Sequence, residues 1–418
     1  MTLRRVVAAG AVVAVAVVAA QVQAASDNLK KLQDFKTSGT PLTLETVDQG
    51  GAKAAAIGAI ADRVKLPPGF KIELYAIVPD ARHMAVGNNV GTVFVGTRKT
   101  AVWAVTDRDK DRVGDEVKRF APSIEFSVPN GVCFSDDGFL YIAEHNRLMV
   151  FPAAEFFYEG PDVAVGIVKQ PLIPVSEESF NHGARTCEIG PDNKLYVTQG
   201  QPYNVPAPEK LELYNEKGIG AIVRMDRDGS NWEVYARGIR NSVGQGFNPA
   251  NGELWFTDNQ VDGMGDLIPP GELNRTTGAG QHFGFPWFGG GKVRTNEYAN
   301  SEPPADAIFP AVEMDAHAAD LGMTFYTGKM FPPKYRGGIF IAQHGSWNRT
   351  DPVGARIMFT SLDEDGAAAG TEVFAYGWLD EETGEYHGRP VDVVQYLDGS
   401  LLVSDDQAGA IYRISYGE

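Results

Sequence analysis

One short pattern recurs six times along this chain: a glycine or asparagine turn followed by an apolar strand. The copies read Gly91-Thr-Val-Phe-Val, Gly138-Phe-Leu-Tyr-Ile, Asn193-Lys-Leu-Tyr-Val, Gly252-Glu-Leu-Trp-Phe, Gly338-Ile-Phe-Ile and Gly399-Ser-Leu-Leu-Val. With Phe94, Tyr141, Tyr196, Trp255, Phe340 and Leu402 as markers, the spacings are 47, 55, 59, 85 and 62 residues. A tight turn that needs positive φ, then a run of β-formers, is the signature of a hairpin strand. A four-stranded blade takes about 40–50 residues, so six copies at this period predict an all-β, six-bladed β-propeller. A propeller gathers its chemistry at one mouth of its central channel, which narrows the search for a site.

The strand Leu66-Pro-Pro-Gly-Phe-Lys-Ile-Glu-Leu-Tyr75 precedes the first copy, and the last copy ends just before the C-terminus. Pairing the two would complete the final blade and remove the free edges of the ring. The expected layout is a propeller over residues 66–418, with an arm over 25–65 that carries no blade pattern. The 85-residue spacing marks a long insertion at about 258–335, and long insertions in compact repeat arrays are commonly functional. At the N-terminus, Arg4-Arg5, an apolar run from Val6 to Ala20 and Val22-Gln-Ala24 read as a cleaved signal peptide over residues 1–24. The run is short for a membrane span, so an exported, periplasmic protein without a span after cleavage is expected.

The net charge of −17 argues against nucleic acid and anionic membrane surfaces as partners. Two cysteines remain for an oxidising compartment. Aligning blade 2 on blade 3 sets Cys187 against Val132, one position off Cys133. One position on a strand reverses the face, which argues against a Cys133–Cys187 disulfide and leaves the pairing open. No Cys-x-x-Cys-His occurs, so a covalent c-type haem is excluded.

Three loops place polar residues where they serve no core: Phe180-Asn-His182-Gly-Ala-Arg185, Gly238-Ile-Arg240-Asn241-Ser-Val-Gly244 and Gly388-Arg389-Pro-Val-Asp392. Each precedes a marker strand, so all three should emerge on one face. A neutral imidazole there can accept a proton, and arginines beside it can hold an anionic group. The same residues also read as a structural histidine and inter-blade ion pairs. Asp258, Asp262 and Asp266 could offer oxygens to a hard cation or simply be solvated. His317 and His344 could line the same mouth, or be structural.

Taken together these stretches resemble the soluble pyrroloquinoline-quinone-dependent sugar dehydrogenases, in particular the L-sorbosone dehydrogenase-like branch. The resemblance runs from Leu66 to Tyr416 and rests on Tyr235-Ala-Arg-Gly-Ile-Arg-Asn241, Gly252-Glu-Leu-Trp-Phe-Thr-Asp-Asn259, Phe283-Gly-Phe-Pro286, Phe340-Ile-Ala-Gln-His-Gly-Ser-Trp-Asn-Arg349, and Gly388-Arg-Pro-Val-Asp392 through Arg413. It implies pyrroloquinoline quinone and calcium as cofactors. His182 is implied as general base, with Arg240 stabilising charge on the quinone. Arg240 with Asn241 would hold the quinone oxygens, and Arg389 a cofactor carboxylate. Asn130, His344 and Arg349 are further candidates on the cofactor. Calcium would lie near Asp258, Asn259 and Gln260, with Asp266 close by, largely on backbone carbonyls.

The pattern departs from that family in three places. Gln201 stands where the glucose-oxidising branch orients the base with an aspartate, Val391 replaces a second arginine, and the family's lysine has no clear counterpart. The expected reaction is oxidation of a sugar, sugar aldehyde or polyol, with electrons leaving to a separate acceptor such as a cytochrome or a quinone. The rival readings are a calcium-dependent lactonase-type hydrolase, which would want a ring of carboxylates at the mouth, and a non-catalytic binding propeller.

Overall fold

The computed structural model describes residues 44–160 and 163–417. The expected leader and residues 25–43 of the arm lie outside the described residues. Six small antiparallel sheets form a six-bladed β-propeller. The first strands of successive blades are Met84–Val86, Gly131–Phe134, Cys187–Ile189, Gln245–Phe247, Asp320–Phe325 and Pro390–Gln395. Each packs against the first strand of the next blade, closing a ring around the axis. The second strands are the sequence repeats themselves: Val93–Val95, Phe139–Ala143, Leu195–Gln199, Leu254–Asp258, Ile339–Gln343 and Leu401–Asp405.

The turn chemistry holds. Gly138 and Gly399 sit at φ 89° and 90°, and Asn193 fills the same post at φ 58°. Near the axis the strands crowd: a Cβ on Gly244 would lie 2.0 Å from the Leu321 carbonyl oxygen. Only glycine lets the backbones approach so closely.

The ring closes as the sequence suggests. Phe70–Ile77 pairs antiparallel with Ala410–Tyr416, from Phe70↔Tyr416 to Ile77↔Ala410, and supplies the outer strand of blade 6. Lys65 bridges to Tyr376 and the helix Gly51–Ala61 buries Ile57 and Ala61 with Val64 against blades 5 and 6, so this part of the arm adds to the core. Elsewhere the core lies between neighbouring blades, as in the cluster of Trp255, Leu273, Phe325 and Ile341. Each such side chain fully buried contributes roughly 1.5–3 kcal/mol.

The long spacing divides into separate features. Gly271–Thr276 and Val312–Met314 are the outer strands of blade 4, and Asp320–Phe325 already belongs to blade 5. What exceeds a blade is the excursion 277–311, which lays Gln281–His282 parallel to Ala236–Arg237 on the edge of blade 3 before returning.

Cys133 and Cys187 form a disulfide, with Cα atoms 5.6 Å apart, against the expectation from the blade alignment. The one-position offset is what permits the bond. Equivalent positions in successive blades face the same way around the ring. Two side chains therefore meet across an interface only when they leave opposite faces of their strands.

Candidate active site

In an antiparallel blade the start of the first strand and the end of the second lie at the same end. Loops from both points converge here on a cavity of about 210 Å³. His182, Arg240, Asn241 and His317 come from loops leading into first strands; Arg98, Asn259, Gln260 and His344 follow second strands. The residue four after each marker is Arg98, His145, Gly200, Asn259, His344 and Asp406. Of these, Arg98, Asn259 and His344 line the cavity, and Asp406 holds two of its lining residues, Arg82 and His344. That periodic position is the signal that would have found Arg98 and Asp406 in the sequence. Arg82, Trp347 and Asn348 also line the cavity, none of them a site candidate from the sequence; Trp347 is 76% exposed at the rim.

His182 has a left-handed backbone, φ 54°, and its Nδ1 lies 2.6 Å from the carbonyl oxygen of Gln201. A carbonyl only accepts, so Nδ1 carries the proton and neutral His182 keeps Nε2 as an acceptor. The orienting group is thus the main chain of Gln201, whereas its side chain closes on Tyr203 N and O. Burial first, then the cations Arg240, Arg185 and Arg98, push the imidazolium pKa down to about 3; the Gln201 carbonyl opposes this.

Arg240 is almost wholly buried and its guanidinium is heavily engaged. It donates to Asn204 O at 3.0 Å, Asn204 Oδ1 at 2.8 Å, Asn259 O at 3.2 Å and Asp262 Oδ2 at 2.8 Å. Asp262 is held from the other side by Asn348 Nδ2 at 2.7 Å. Arg82 pairs with Asp406 and Asn130, and His344 Nε2 lies 2.8 Å from Asp406 Oδ1. His344 and Arg82 hold the Asp406 carboxyl far below its usual range despite its burial.

Several expected residues stand elsewhere. Asn130 is fully buried beneath the cavity, accepting from Arg82 and donating to Arg185 O at 2.9 Å. Arg389 turns away: its guanidinium donates to the carbonyls of His344 and Gly345 and lies over the Tyr386 ring. Arg349 donates to Ala316 O at 3.2 Å and does not reach the cavity wall.

The expected calcium ligands are not one set. Both Asp258 oxygens accept backbone amides, Arg240 N at 2.9 Å and Asn241 N at 2.7 Å, and the side chain faces a separate inner space shared with Glu272. Burial raises the Asp258 pKa to about 6, against the pull of those amides. Asp266 accepts from Thr350 N at 3.2 Å outside the cavity. Asn259 Nδ2 donates to Asn241 O, and Gln260 Oε1 is a buried acceptor without a partner among the described residues. Among the described residues the carboxylates that do converge are Asp107, Asp109 and Asp115, at the opposite end of blade 1. The side chains alone therefore do not build a calcium centre at the cavity.

An anionic ligand fits better. The lining carries three arginines and three histidines against one carboxylate, Asp262, in a protein of net charge −17. Among the described residues the Arg98 guanidinium makes no ion pair or hydrogen bond, and the Asn241 Oδ1 atom is buried without a partner. The cavity thus offers a fixed acceptor nitrogen, an uncommitted cation and free polar atoms. Such a set can hold a planar anion while a proton is removed beside it.

Known proteins align with this frame. The calcium structure of a Trichoderma reesei carbohydrate-active enzyme of family AA12 superposes with TM-score 0.70 at 20% identity, covering 85% of this chain and 97% of that one. The holo form of the pyranose dehydrogenase PQQ domain from Coprinopsis cinerea gives TM-score 0.67 at 17% identity, covering 84% and 97%. These two likenesses establish the fold. An uncharacterized protein of Borreliella burgdorferi is 33% identical over 367 residues, 85% of this chain and 92% of the relative. The family model described as glucose/sorbosone dehydrogenase matches residues 167–413, more than half of the 418. By that match the chain belongs to the glucose/sorbosone dehydrogenase family.

Proposed function

We propose that this protein is an exported quinoprotein dehydrogenase that oxidises a sugar, sugar aldehyde or polyol with pyrroloquinoline quinone, and that His182 is the base. The observation that carries the reading is His182 itself: an uncharged imidazole, locked in one tautomer, in a cavity whose other charged groups are chiefly cations. When bound, the quinone supplies the hydride acceptor. The chain supplies position and charge.

His182 Nε2 takes the proton of the substrate hydroxyl, and the Gln201 carbonyl keeps Nδ1–H in place as the ring becomes charged. The same cations that depress the His182 pKa would be offset by an anionic cofactor, moving the base toward working pH. Arg240 and Asn241, fixed through the Asp258 clamp, are the cofactor-facing donors. The L-sorbosone branch, calcium beside the quinone, periplasmic location and a separate cytochrome or quinone acceptor are parts of this proposal. A calcium ion accompanying the cofactor would have Gln260 Oε1 and main-chain oxygens available to it. The lactonase reading lacks its ring of carboxylates, since Asp262 is the one acid lining the cavity among the described residues.

Titration of the purified apo-protein with pyrroloquinoline quinone, with and without calcium, followed by dye reduction with a sugar panel, tests the proposal. Stoichiometric binding with sugar-dependent reduction is the expected result. A folded protein that binds no quinone with calcium present overturns it.

A further inference from the structure

The three arginines at the cavity differ in how far their charge is already spent. Arg82 is met by Asp406 and by Asn130 Oδ1 at 2.8 Å. Arg240 is met by Asp262 and by three further acceptors. Arg98, in the turn after the second strand of blade 1, has neither: its backbone N–H goes to Asp80 Oδ2 at 2.8 Å while its guanidinium donates to no group among the described residues. One face of that guanidinium lies over the Phe180 ring, 4.9 Å from its centre. Phe180 is otherwise 64% exposed and belongs to the loop that carries His182.

A cation stacked in this way is held in orientation with its N–H groups still free. Burial first, then the neighbouring Arg82 cation, lower its pKa, while the nearby carboxylates of Asp406 and Asp80 oppose this without a direct hydrogen bond to the guanidinium. Blade 6, where the sequence placed Arg389 for an anion, presents no arginine to the cavity among the described residues. Arg389 is spent on the carbonyls of His344 and Gly345, and Val391 is 2% exposed, packed with Val243 and Leu321.

We propose that Arg98 is a cofactor-binding residue, forming from blade 1 the ion pair to a quinone carboxylate that blade 6 does not provide, with Phe180 as the platform that aims it. The inference rests on the quinoprotein reading above. It assigns the carboxylate end of the cofactor to the Arg98–Arg82 side of the cavity and leaves Arg240 and His182 for the quinone end.

The test is a direct binding titration of the full apo-chain, independent of turnover, using pyrroloquinoline quinone and its trimethyl ester. A charge-assisted pair in a half-buried site corresponds to a loss of roughly 10- to 100-fold in affinity when removed. Arg98→Met should weaken the quinone by that factor and leave the ester, which has no carboxylate, within about 3-fold of wild type. Arg98→Lys should recover part of the loss. Equal weakening of both ligands would mean that Arg98 only shapes the cavity, and no weakening of either would mean that it is idle; each overturns the assignment. If the ester binds too weakly to titrate, the lysine variant decides: no recovery over methionine also overturns it. Should the wild type itself fail to bind quinone, the functional reading falls and the assignment with it, and that outcome is recognisable in the wild-type titration alone.

Discussion

The entrances to blades 4 and 6 begin alike and end differently. Each brings an arginine to the mouth of the channel, Arg240 after Gly238-Ile and Arg389 after Gly388. Each arginine's backbone N–H is clamped by an aspartate that ends the second strand of the same blade: Asp258 Oδ2 to Arg240 N at 2.9 Å, Asp405 Oδ1 to Arg389 N at 2.9 Å. Burial raises both carboxyl pKa values to about 6. The side chains then diverge. Arg240 is drawn toward the cavity by Asn204, Asn259 and Asp262. Arg389 is drawn to blade 5, onto carbonyls at 344 and 345, with the ring of Tyr386 covering it. Tyr386 comes from a small hairpin, Leu379–Asp380 with Glu385–Tyr386, set between blades 5 and 6. The repeat thus fixes where an arginine starts, and non-repeated segments decide where its charge goes.

The largest effect expected separates chemistry from holding. His182→Ala should lower kcat by about 10²–10⁴-fold, the usual range for a general base, with quinone still bound near stoichiometrically. A comparable collapse of quinone affinity would class His182 with Arg240 as a holding residue. Stability gives a second readout. The His182 pKa is lower in the fold, about 3 against 6.5, so the unfolded chain binds more protons between those values. His182 therefore costs stability as pH falls from 6.5 toward 3, and the alanine variant should show a shallower acid limb.

The blade comparison itself is broken or sharpened by paired variants. Arg240→Met should weaken quinone binding by roughly 10-fold or more, whereas Arg389→Met should shift affinity less than about 3-fold and act mainly on melting temperature. Equal losses of affinity would show that Arg389 turns back to the cavity when ligand arrives. The clamps come next in size. Asp258→Asn sets an N–H₂ group against a backbone amide whichever way it turns, costing about 1–3 kcal/mol in differential scanning calorimetry, whereas Asp405→Asn can turn its N–H₂ to the Tyr412 hydroxyl and should cost less. Only Asp258→Asn should also lower quinone affinity. Because both carboxyls hold their protons more tightly folded than unfolded, wild-type stability at these sites falls as pH rises from about 4 to 6. The deficit of each asparagine variant relative to wild type should therefore narrow over that range.

The six-fold repeat was legible because turn glycines and marker strands are local, and local chemistry writes itself into sequence. Ring closure by Phe70–Ile77 was legible for a related reason: an unpaired terminal strand at each end of the chain calls for a partner. The face shared by His182, Arg240 and His344 followed from strand alternation. What escaped depends on neighbours across blades. The disulfide needed the direction in which blades face each other, which no single-blade alignment contains. Asp258 and Asp266 looked like cation ligands because both are acidic and near glycine, yet one is a clamp inside the fold and the other a cap on Thr350. Arg98 carries no local motif; only its place four residues after a marker, shared with Asn259 and His344, sets it apart.

Gln201 supplies the smallest expected effect and the finest distinction. Its neutral amide would stabilise a charged imidazole less than a carboxylate, which suggests a weakened hold on the base. The hold is made instead by the carbonyl of Gln201, 2.6 Å from His182 Nδ1, and any residue provides a carbonyl. That backbone is fixed in turn by Gln201 N donating to Arg240 O at 3.1 Å, which ties the base to the arginine loop of blade 4. The amide side chain serves only to close the turn onto Tyr203. Gln201→Ala should therefore lower the melting temperature by a few degrees, as expected when a buried turn amide is lost and Tyr203 N and O are left without it, and change kcat by less than about 3-fold with an unaltered pH profile. A kcat loss of 10-fold or more with a displaced pH profile would return the orienting role to the side chain.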